Sequence, residues 1–277
     1  MSDLTKKKDF LIDIEGVLRK KNPNLYRLIP RFIIAYIKRT IHQDEMNDFL
    51  IRNHEKQGID FVNAIVDEFK VNIWIKNEEN IPTSGKYIFV ANHPLGGLES
   101  MVLMQTVYKY HKSFKFIVND ILMNIQNLSS VFVPVNKHGS NSREYFNILE
   151  ETFASENQVL MFPAGLVSRK INGIIQDLEW KKSFITMSQK YTRDIVPVYI
   201  TARNSNFFYN FSNFRKKIGI KANIEMIYLP DEVYKQYNCE IGLTFGKPIP
   251  YSTFDKSKKV NEWAEWTRNQ VYSLKNI

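Results

Sequence analysis

Short apolar runs of strand length alternate with amphipathic stretches of helical length from residue 71 to the end of the chain. The strand-like runs lie at residues 71–75, 87–91, 114–118, 131–135, 159–162, 195–200, 224–228 and 241–245. The helical stretches between or after them lie at residues 98–110, 142–153, 180–191 and 260–274. Alternation of this kind predicts an α/β fold, in which helices flank a mixed and largely parallel sheet.

The first 70 residues lack this alternation and have a helical pattern instead. Residues 44–55 and 59–69 have helical periodicity and are split at Gly58. In residues 25–41, apolar side chains recur at i, i+3 and i+4, which predicts one helical face, and Pro30 suits the first turn of a helix. We therefore predict a helical N-terminal region at residues 1–70 and an α/β domain at residues 71–277.

The positive charge of the chain is concentrated rather than spread. Of the formal net charge of +9, residues 1–41 carry +6, from ten Lys and Arg against four Asp and Glu. A basic amphipathic helix with aromatic residues is typical of a helix that lies on an anionic membrane, so we predict peripheral membrane binding. The alternative is that the apolar face of residues 25–41 packs against the protein's own core.

A second basic cluster is interleaved with aromatic residues at positions 207–214. Its basic residues are Arg203, Arg215, Lys216, Lys217 and Lys221. Aromatic and basic side chains together can stack the bases of a single strand, but no RNA- or DNA-binding signature surrounds them. We therefore predict that the segment is a loop at lipid headgroups or a plain surface helix, and that the protein has no nucleic-acid partner.

Several protein classes are excluded by features that the sequence lacks. The single cysteine, Cys239, excludes an intrachain disulfide and a zinc site built on cysteines. We expect no secretory signal, and no uninterrupted apolar run approaches the roughly 18 residues that span a bilayer. No P-loop, G-x-S-x-G, G-x-G-x-x-G or H-E-x-x-H motif is present, and the five histidines lack metal-ligand spacing, so we predict no metal.

One histidine stands apart from the others. His93 follows the strand-like run 87–91 and precedes the flexible pair Gly96-Gly97, after which Glu99 lies in the first turn of a helical stretch. An α/β sheet binds its ligands at such a strand end, and the glycines let the carboxylate fold back onto the imidazole. A carboxylate on one ring nitrogen makes the other nitrogen a better general base. The alternative is a helix-capping histidine beside a solvated glutamate.

A second strand end leads into a similar loop. Residues 159–170 run from an apolar strand through Pro163 and Gly165 to a polar and cationic exit. Gly165 can bring backbone N–H groups near a ligand. Ser168 and Arg169 can bind an anionic group, the arginine by a bidentate contact.

Four segments, taken in order, resemble the motifs of the glycerolipid acyltransferase superfamily, which contains the lysophosphatidate acyltransferases. The segments are Asn92-His93 with Glu99, the strand 132–137 that ends in Lys137, the loop 162–169 that begins Phe-Pro-Ala-Gly, and Val196-Pro197-Val198. The whole chain is similar to a bacterial branch of hemolysin-like and ornithine- or glycine-lipid O-acyltransferases. The resemblance implies a glycerol-3-phosphate acyltransferase-like fold for residues 71–277.

The resemblance also implies an activity and a set of site residues. The activity is membrane-surface O-acyl transfer from an acyl thioester, of acyl carrier protein or coenzyme A, to the hydroxyl of a lyso-lipid, with no bound cofactor. The implied catalytic residues are His93 and Glu99. The implied substrate-binding residues are Asn92, Lys137, Phe162, Pro163, Gly165, Ser168 and Arg169. Such an enzyme is expected on the cytoplasmic face of the inner membrane, as a peripheral or monotopic protein.

The sequence departs from the superfamily pattern at two positions. The acid is Glu99, six residues after His93 in an HX5E motif, where the superfamily has an aspartate five residues after the histidine. Ala164 stands where the superfamily has a glutamate in a loop that helps to hold glycerol phosphate. The loss of that carboxylate favours a lyso-aminolipid acceptor, whose free carboxylate is held by Arg169 or Lys137. The alternatives are a 1-acyl-glycerol-3-phosphate acyltransferase that makes phosphatidic acid and an inactive lipid-binding homologue.

Overall fold

The computed structural model describes residues 11–135 and 142–276, and these residues form two compact units. Of the described residues, the sheet unit holds 57–135, 142–204 and 236–276, and the helical unit holds 11–56 and 205–235. The boundary predicted at residue 70 differs from this division. The helix that precedes residue 70 packs against another helix of the sheet unit, and residues 205–235 group with the N-terminal helices.

All strands of the described ranges lie in the sheet unit. They are β1 (Asn72–Lys76), β2 (Tyr87–Ala91), β3 (Phe114–Asn119), β4 (Phe132–Val135), β5 (Gln158–Met161), β6 (Arg169–Ile171), β7 (Ile174–Gln176), β8 (Asp194–Thr201) and β9 (Glu240–Phe245). One sheet has the order β1-β9-β8-β2-β5-β3-β4, and its β8–β9 pair is antiparallel while its other pairs are parallel. β6 and β7 form a separate antiparallel hairpin. The predicted α/β fold with a mixed, largely parallel sheet is confirmed.

The helices frame this sheet and also build the helical unit. They are α1 (Ile14–Lys21), α2 (Pro23–Leu28), α3 (Arg31–Thr40), α4 (Gln43–Arg52), α5 (Gly58–Glu68), α6 (Leu98–Tyr110), α7 (Ser142–Ala154), α8 (Ser183–Lys190), α9 (Asn206–Lys217), α10 (Leu229–Tyr234) and α11 (Val260–Ser273). The helical unit holds α1 to α4 with α9 and α10. Among the residues that the structure describes, no helix combines the length and apolarity needed to cross a bilayer.

Helices cover both faces of the sheet, which explains why its central strands are apolar on both sides. Along β2, Ile88 and Val90 pack into one buried cluster with Trp263 of α11. Successive side chains of a strand point to opposite faces. The ring of Phe89 accordingly lies against His111, at the carboxyl end of α6.

The carboxyl ends of three neighbouring strands meet at one edge of the sheet. β2 pairs in parallel with β5 on one side and with β8 on the other. The loop that follows β2 and the loop that follows β5 therefore leave the sheet side by side. In open α/β sheets this edge is where ligands bind.

One predicted strand, at residues 224–228, is wrong. The segment Ile224–Tyr228 is a 3-10 helix between α9 and α10 in the helical unit. Periodicity does not distinguish a strand from a helix in so short an apolar run. Glu225 is buried within the run and accepts hydrogen bonds from Ser212 and Arg215 of α9. Polar contacts with a helix, rather than strand pairing, therefore hold this segment.

The helical face predicted at residues 25–41 is divided at Pro30. α2 ends at Leu28, and α3 begins at Arg31 with Pro30 as its N-cap residue. A proline has no backbone N–H to donate inside a helix, so a new helix begins there. The helical assignment is confirmed, but the segment forms two helices.

Candidate active site

Asn92 directly follows β2, and its side chain fixes the start of the loop that comes next. Its buried side chain pairs with the backbone of Ile200 in β8. Oδ1 accepts the N–H of Ile200 at 2.7 Å, and Nδ2 donates to the C=O of Ile200 at 3.0 Å. Asn92 thus extends the β2–β8 contact by one residue and holds the position of His93. Its role in substrate binding stays a prediction.

His93 and Glu99 form the hydrogen-bonded pair that the sequence predicts. Nδ1 of His93 lies 2.8 Å from Oε1 of Glu99. The chain turns back between them through Gly96, whose φ of +105° is a conformation that favours glycine. The Glu99 side chain is fully buried, whereas the imidazole is partly exposed. The alternative of a solvated glutamate is therefore wrong.

Backbone groups anchor the Glu99 carboxylate as firmly as the imidazole does. Oε1 accepts the N–H groups of Leu95 at 2.9 Å and Gly96 at 2.8 Å, and Oε2 accepts that of Gly97 at 2.8 Å. Burial raises the pKa of the Glu99 carboxyl. The hydrogen bond and charge of His93, with the N–H groups of Gly96 and Leu95, outweigh burial and hold this pKa below its ordinary value.

The ionised carboxylate of Glu99 decides which nitrogen of His93 is basic. A carboxylate without a proton only accepts hydrogen bonds, so Nδ1 carries the proton in this pair. Nε2 is then the unprotonated nitrogen, and it belongs to the partly exposed imidazole. The arrangement is that of a general base with a fixed tautomer.

The ring of Phe162 holds the plane of the imidazole. The ring centroids of His93 and Phe162 lie 4.2 Å apart, and their planes differ by 19°. Phe116 packs edge-on against Phe162, with centroids 5.1 Å apart. Phe162, which the sequence predicts as a substrate-binding residue, therefore lies at the site and contacts the candidate base directly.

The loop after β5 turns at Pro163 and Gly165 beside a lysine. Gly165 has a φ of +63°, and its N–H donates to the C=O of Phe162 at 3.0 Å. The N–H of Lys181 donates to the C=O of Pro163 at 3.1 Å. The Lys181 ammonium lies over Gly165, where an added Cβ would collide with Nζ. Lys181 is exposed, and no motif of the sequence pointed to it.

Ser168 and Arg169 lie beneath this loop rather than at its surface, and both are buried. The N–H of Ser168 donates to the C=O of His93 at 2.7 Å, and Nη1 of Arg169 donates to the C=O of Val167 at 2.7 Å. The Ser168 contact ties the loop to the segment that carries His93, and the Arg169 contact holds the loop to itself. The predicted contact of Ser168 and Arg169 with an anion stays a prediction, and Lys137 lies outside the described residues.

A buried carboxylate that the sequence motifs missed lies behind His93. Asp177 follows the β6–β7 hairpin and is 1% exposed. Its Oδ1 accepts the N–H of His93 at 3.1 Å and the hydroxyl of Ser168 at 2.6 Å. Its Oδ2 accepts the indole N–H of Trp180 at 2.9 Å. The strands of the hairpin are three residues long, too short to show a pattern that would have placed Asp177.

Chemically, the site can take a proton from a hydroxyl or an amine that reaches Nε2 of His93. General bases of this kind use an imidazole whose second nitrogen is held by a carboxylate. Within residues 11–135 and 142–276, no group of three or more His, Cys, Asp or Glu is arranged to hold a metal ion.

The site offers an imidazole whose Nδ1 is held by a buried carboxylate, and sequence comparison gives the class of protein. A family model described as acyltransferase matches residues 16–277. The chain therefore belongs to the acyltransferase family and is an acyltransferase.

Two relatives have the same name. The chain is 46% identical over 266 residues to the lyso-glycine lipid O-acyltransferase of Bacteroides thetaiotaomicron, which covers 96% of this chain and 98% of that protein. It is 47% identical over 266 residues to the lyso-glycine lipid O-acyltransferase of Phocaeicola vulgatus, which covers 96% of this chain and 95% of that protein. The crystal structure of the 1-acyl-sn-glycerophosphate acyltransferase PlsC from Thermotoga maritima matches with a TM-score of 0.46 and 17% identity, over 89% of this chain and 93% of that chain. The resemblance to acyltransferases is confirmed.

Proposed function

We propose that the protein transfers a fatty acyl group from an acyl thioester to the hydroxyl group of a lyso-glycine lipid. The observation that carries the proposal is the His93–Glu99 pair, with an Nδ1–Oε1 distance of 2.8 Å. The acceptor is supported by the identity of 46% and 47% to two enzymes named for it, each over 96% of this chain. Ala164, in place of the glutamate of the superfamily loop, supports an acceptor other than glycerol phosphate.

In the proposed mechanism, Nε2 of His93 takes the proton of the acceptor hydroxyl while its oxygen attacks the thioester carbonyl. The new C–O bond gives a tetrahedral oxyanion. When the oxyanion collapses, the C–S bond breaks and the imidazolium returns the proton to the departing thiolate. Glu99 keeps the ring in place and stabilises the imidazolium between these steps. The base is regenerated without a covalent acyl-enzyme.

Backbone N–H groups of the loop after β5 are the proposed donors to the oxyanion. The N–H of Gly165 already donates to the C=O of Phe162, at 3.0 Å. The proposed donors to the oxyanion are therefore neighbouring N–H groups of the same loop. The φ of +63° at Gly165 sets the direction of the chain that carries them.

A glycine that is joined through its nitrogen keeps a free carboxylate, and we infer that Lys181 binds it. Lys181 is exposed, and its ammonium lies over Gly165. Gly165 belongs to the loop after β5, which also contacts the imidazole of His93 through Phe162. Arg169 is less suited to this part, because its guanidinium is buried and donates to backbone carbonyls.

The test is an acyl-transfer assay with the purified protein. Lyso-glycine lipid and lysophosphatidic acid are offered as acceptors, and the acyl thioesters of acyl carrier protein and of coenzyme A as donors. We expect acylated glycine lipid, a loss of about 10²- to 10⁴-fold in kcat for a folded His93→Ala variant, and a raised KM for the glycine acceptor in Lys181→Met. Phosphatidic acid as the sole product would contradict the acceptor, and lipid binding without turnover would indicate an inactive homologue.

We further propose that the helical unit binds an anionic membrane surface, on the cytoplasmic face of the inner membrane. Phe32 of α3 is 74% exposed and Leu28 of α2 is 79% exposed. Exposed Arg27, Arg31 and Arg39 lie on the same two helices. Side chains this apolar and this exposed argue against the alternative that α3 packs its whole apolar face on the core.

The same unit carries a second exposed apolar region, on α9 and the 3-10 helix that follows it. Phe214 and Ile218 are exposed beside Lys216 and Lys217. The hydroxyl groups of Tyr36 and Tyr228 lie 2.9 Å apart, so α3 contacts this region. Four isoleucines of this region are exposed, and aliphatic side chains suit acyl chains better than stacked bases. They are Ile218, Ile220, Ile224 and Ile227.

A further inference from the structure

We propose that Asp177 is a positioning residue for acyl transfer, whose carboxylate fixes the backbone of His93 against the loop after β5. The inference rests on the proposed function, in which His93 is the base. It concerns a residue that lies outside every motif of the sequence and that touches the base through its main chain rather than its ring.

Three hydrogen-bond donors from three separate segments converge on the Asp177 carboxylate. The N–H of His93 comes from the end of β2, the hydroxyl of Ser168 from the loop after β5, and the indole N–H of Trp180 from the segment before α8. Ser168 also donates its own N–H to the C=O of His93 at 2.7 Å. Asp177 therefore closes a ring of contacts that sets the distance between the base and the loop proposed to hold the oxyanion.

Asp177 is in turn held by α11. Its N–H donates to the hydroxyl of Tyr272 at 2.7 Å, and its C=O accepts from Nη2 of Arg268 at 2.9 Å. A carboxylate fixed at its backbone and at both of its oxygens has little freedom to move. Such supporting groups matter because a misplacement of about 1 Å at a catalytic group can cost about 10²-fold in rate.

The carboxylate also contributes negative charge beneath the site. Burial raises the pKa of Tyr199 and of Tyr272, and the charge of Asp177 raises both further.

An asparagine cannot replace this carboxylate without loss. An amide has one acceptor oxygen and two N–H donors. If its oxygen serves His93 and Ser168, its NH₂ group faces the indole N–H of Trp180, and two donors then oppose each other. The variant Asp177→Asn therefore removes the charge and disturbs the contact network while keeping the shape of the side chain.

The experiment compares Asp177→Asn with Asp194→Asn in the acyl-transfer assay. Oδ1 of Asp194 also accepts a backbone N–H, that of Tyr251 at 2.9 Å, but it lies at the amino end of β8, away from the site. We expect Asp177→Asn to lower kcat about 10- to 100-fold and to change KM by less than about threefold. Asp194→Asn retains the kcat and the KM of the unaltered protein.

A second variant keeps the test decisive if Asp177→Asn folds poorly. Trp180→Phe keeps an aromatic ring but removes the indole donor, so Asp177→Asn in that background has no opposing donors. We expect its kcat to rise above that of Asp177→Asn alone. An unchanged kcat in Asp177→Asn, or the absence of any rescue, would overturn this inference alone. No transfer by the unaltered protein would overturn the proposed function as well.

Discussion

At the scale of single residues, the hydrogen bonds around Glu99 fix the charge and the orientation of its carboxylate. Its carboxylate accepts three backbone N–H groups from the turn at Leu95, Gly96 and Gly97, and the fourth contact is with His93. All four partners lie within six positions of Glu99. Its charge and orientation are therefore set by one local turn, before any substrate arrives.

The pKa of Glu99 makes a prediction about stability. Folding lowers the pKa of the Glu99 carboxyl below its ordinary value of 4.5, so the ionised carboxylate stabilises the folded protein at pH values above 4.5. This stabilisation is lost as the pH falls through the lower pKa of the folded state. We expect Glu99→Gln to lower the free energy of unfolding by about 1.5–3 kcal/mol at pH 7. The difference from the unaltered protein should narrow below pH 4.5. Urea unfolding at several pH values measures it, and a difference that is constant with pH would contradict the assignment.

The residues that the sequence revealed and those that it missed differ in the range of their contacts. The pairing of His93 with Glu99 was predictable, because a strand end and two glycines in one short segment bring the side chains together. Asp177 and Lys181 reach the site from a different part of the chain, through contacts with His93 and Pro163. A single sequence does not show which distant residues are in contact, so these two residues were identified only from the structure.

At the scale of the elements, the pairing of β1 with β9 depends on a glycine that leaves room for an indole. Gly242 of β9 is the partner of Trp74 of β1, and a Cβ at Gly242 would overlap the indole. We expect Gly242→Ala to destabilise the protein by about 1–3 kcal/mol, because the indole must leave its place on the sheet. The same substitution in a Trp74→Val background should cost much less. Equal losses in both backgrounds, measured by urea unfolding, would show that the indole is not responsible.

The sequence predicted some elements well and others poorly for reasons of length and environment. β2, β5 and β8 are buried on both faces, so their apolar runs stand out. β6 and β7 have three residues each and leave no periodic pattern. The run Ile224–Tyr228 is as apolar as a strand, but a buried Glu225 and its partner Arg215 make it part of a helical unit.

At the scale of the whole molecule, the proposed membrane binding predicts that substitutions of two exposed phenylalanines have different effects on vesicle binding. Phe32 lies in the helical unit among basic residues, and Phe146 is a comparably exposed phenylalanine in the sheet unit. We expect Phe32→Asp to reduce flotation with vesicles of phosphatidylethanolamine and phosphatidylglycerol, because it removes apolar contact and adds a charge that anionic lipid repels. Phe146→Asp should float like the unaltered protein. Equal flotation of both variants, or retention on RNA instead of vesicles, would contradict the proposal.

The hydroxyl of Tyr272 reaches the N–H of Asp177 across the sheet unit, at 2.7 Å. During synthesis, the ribosome releases His93 and Glu99 well before it releases α11. A nascent chain can therefore form the base and its partner while the support from Tyr272 and Arg268 is still missing. Under the role inferred for Asp177, the enzyme gains full competence only once α11 has docked, and a chain that still lacks α11 consumes little acyl donor.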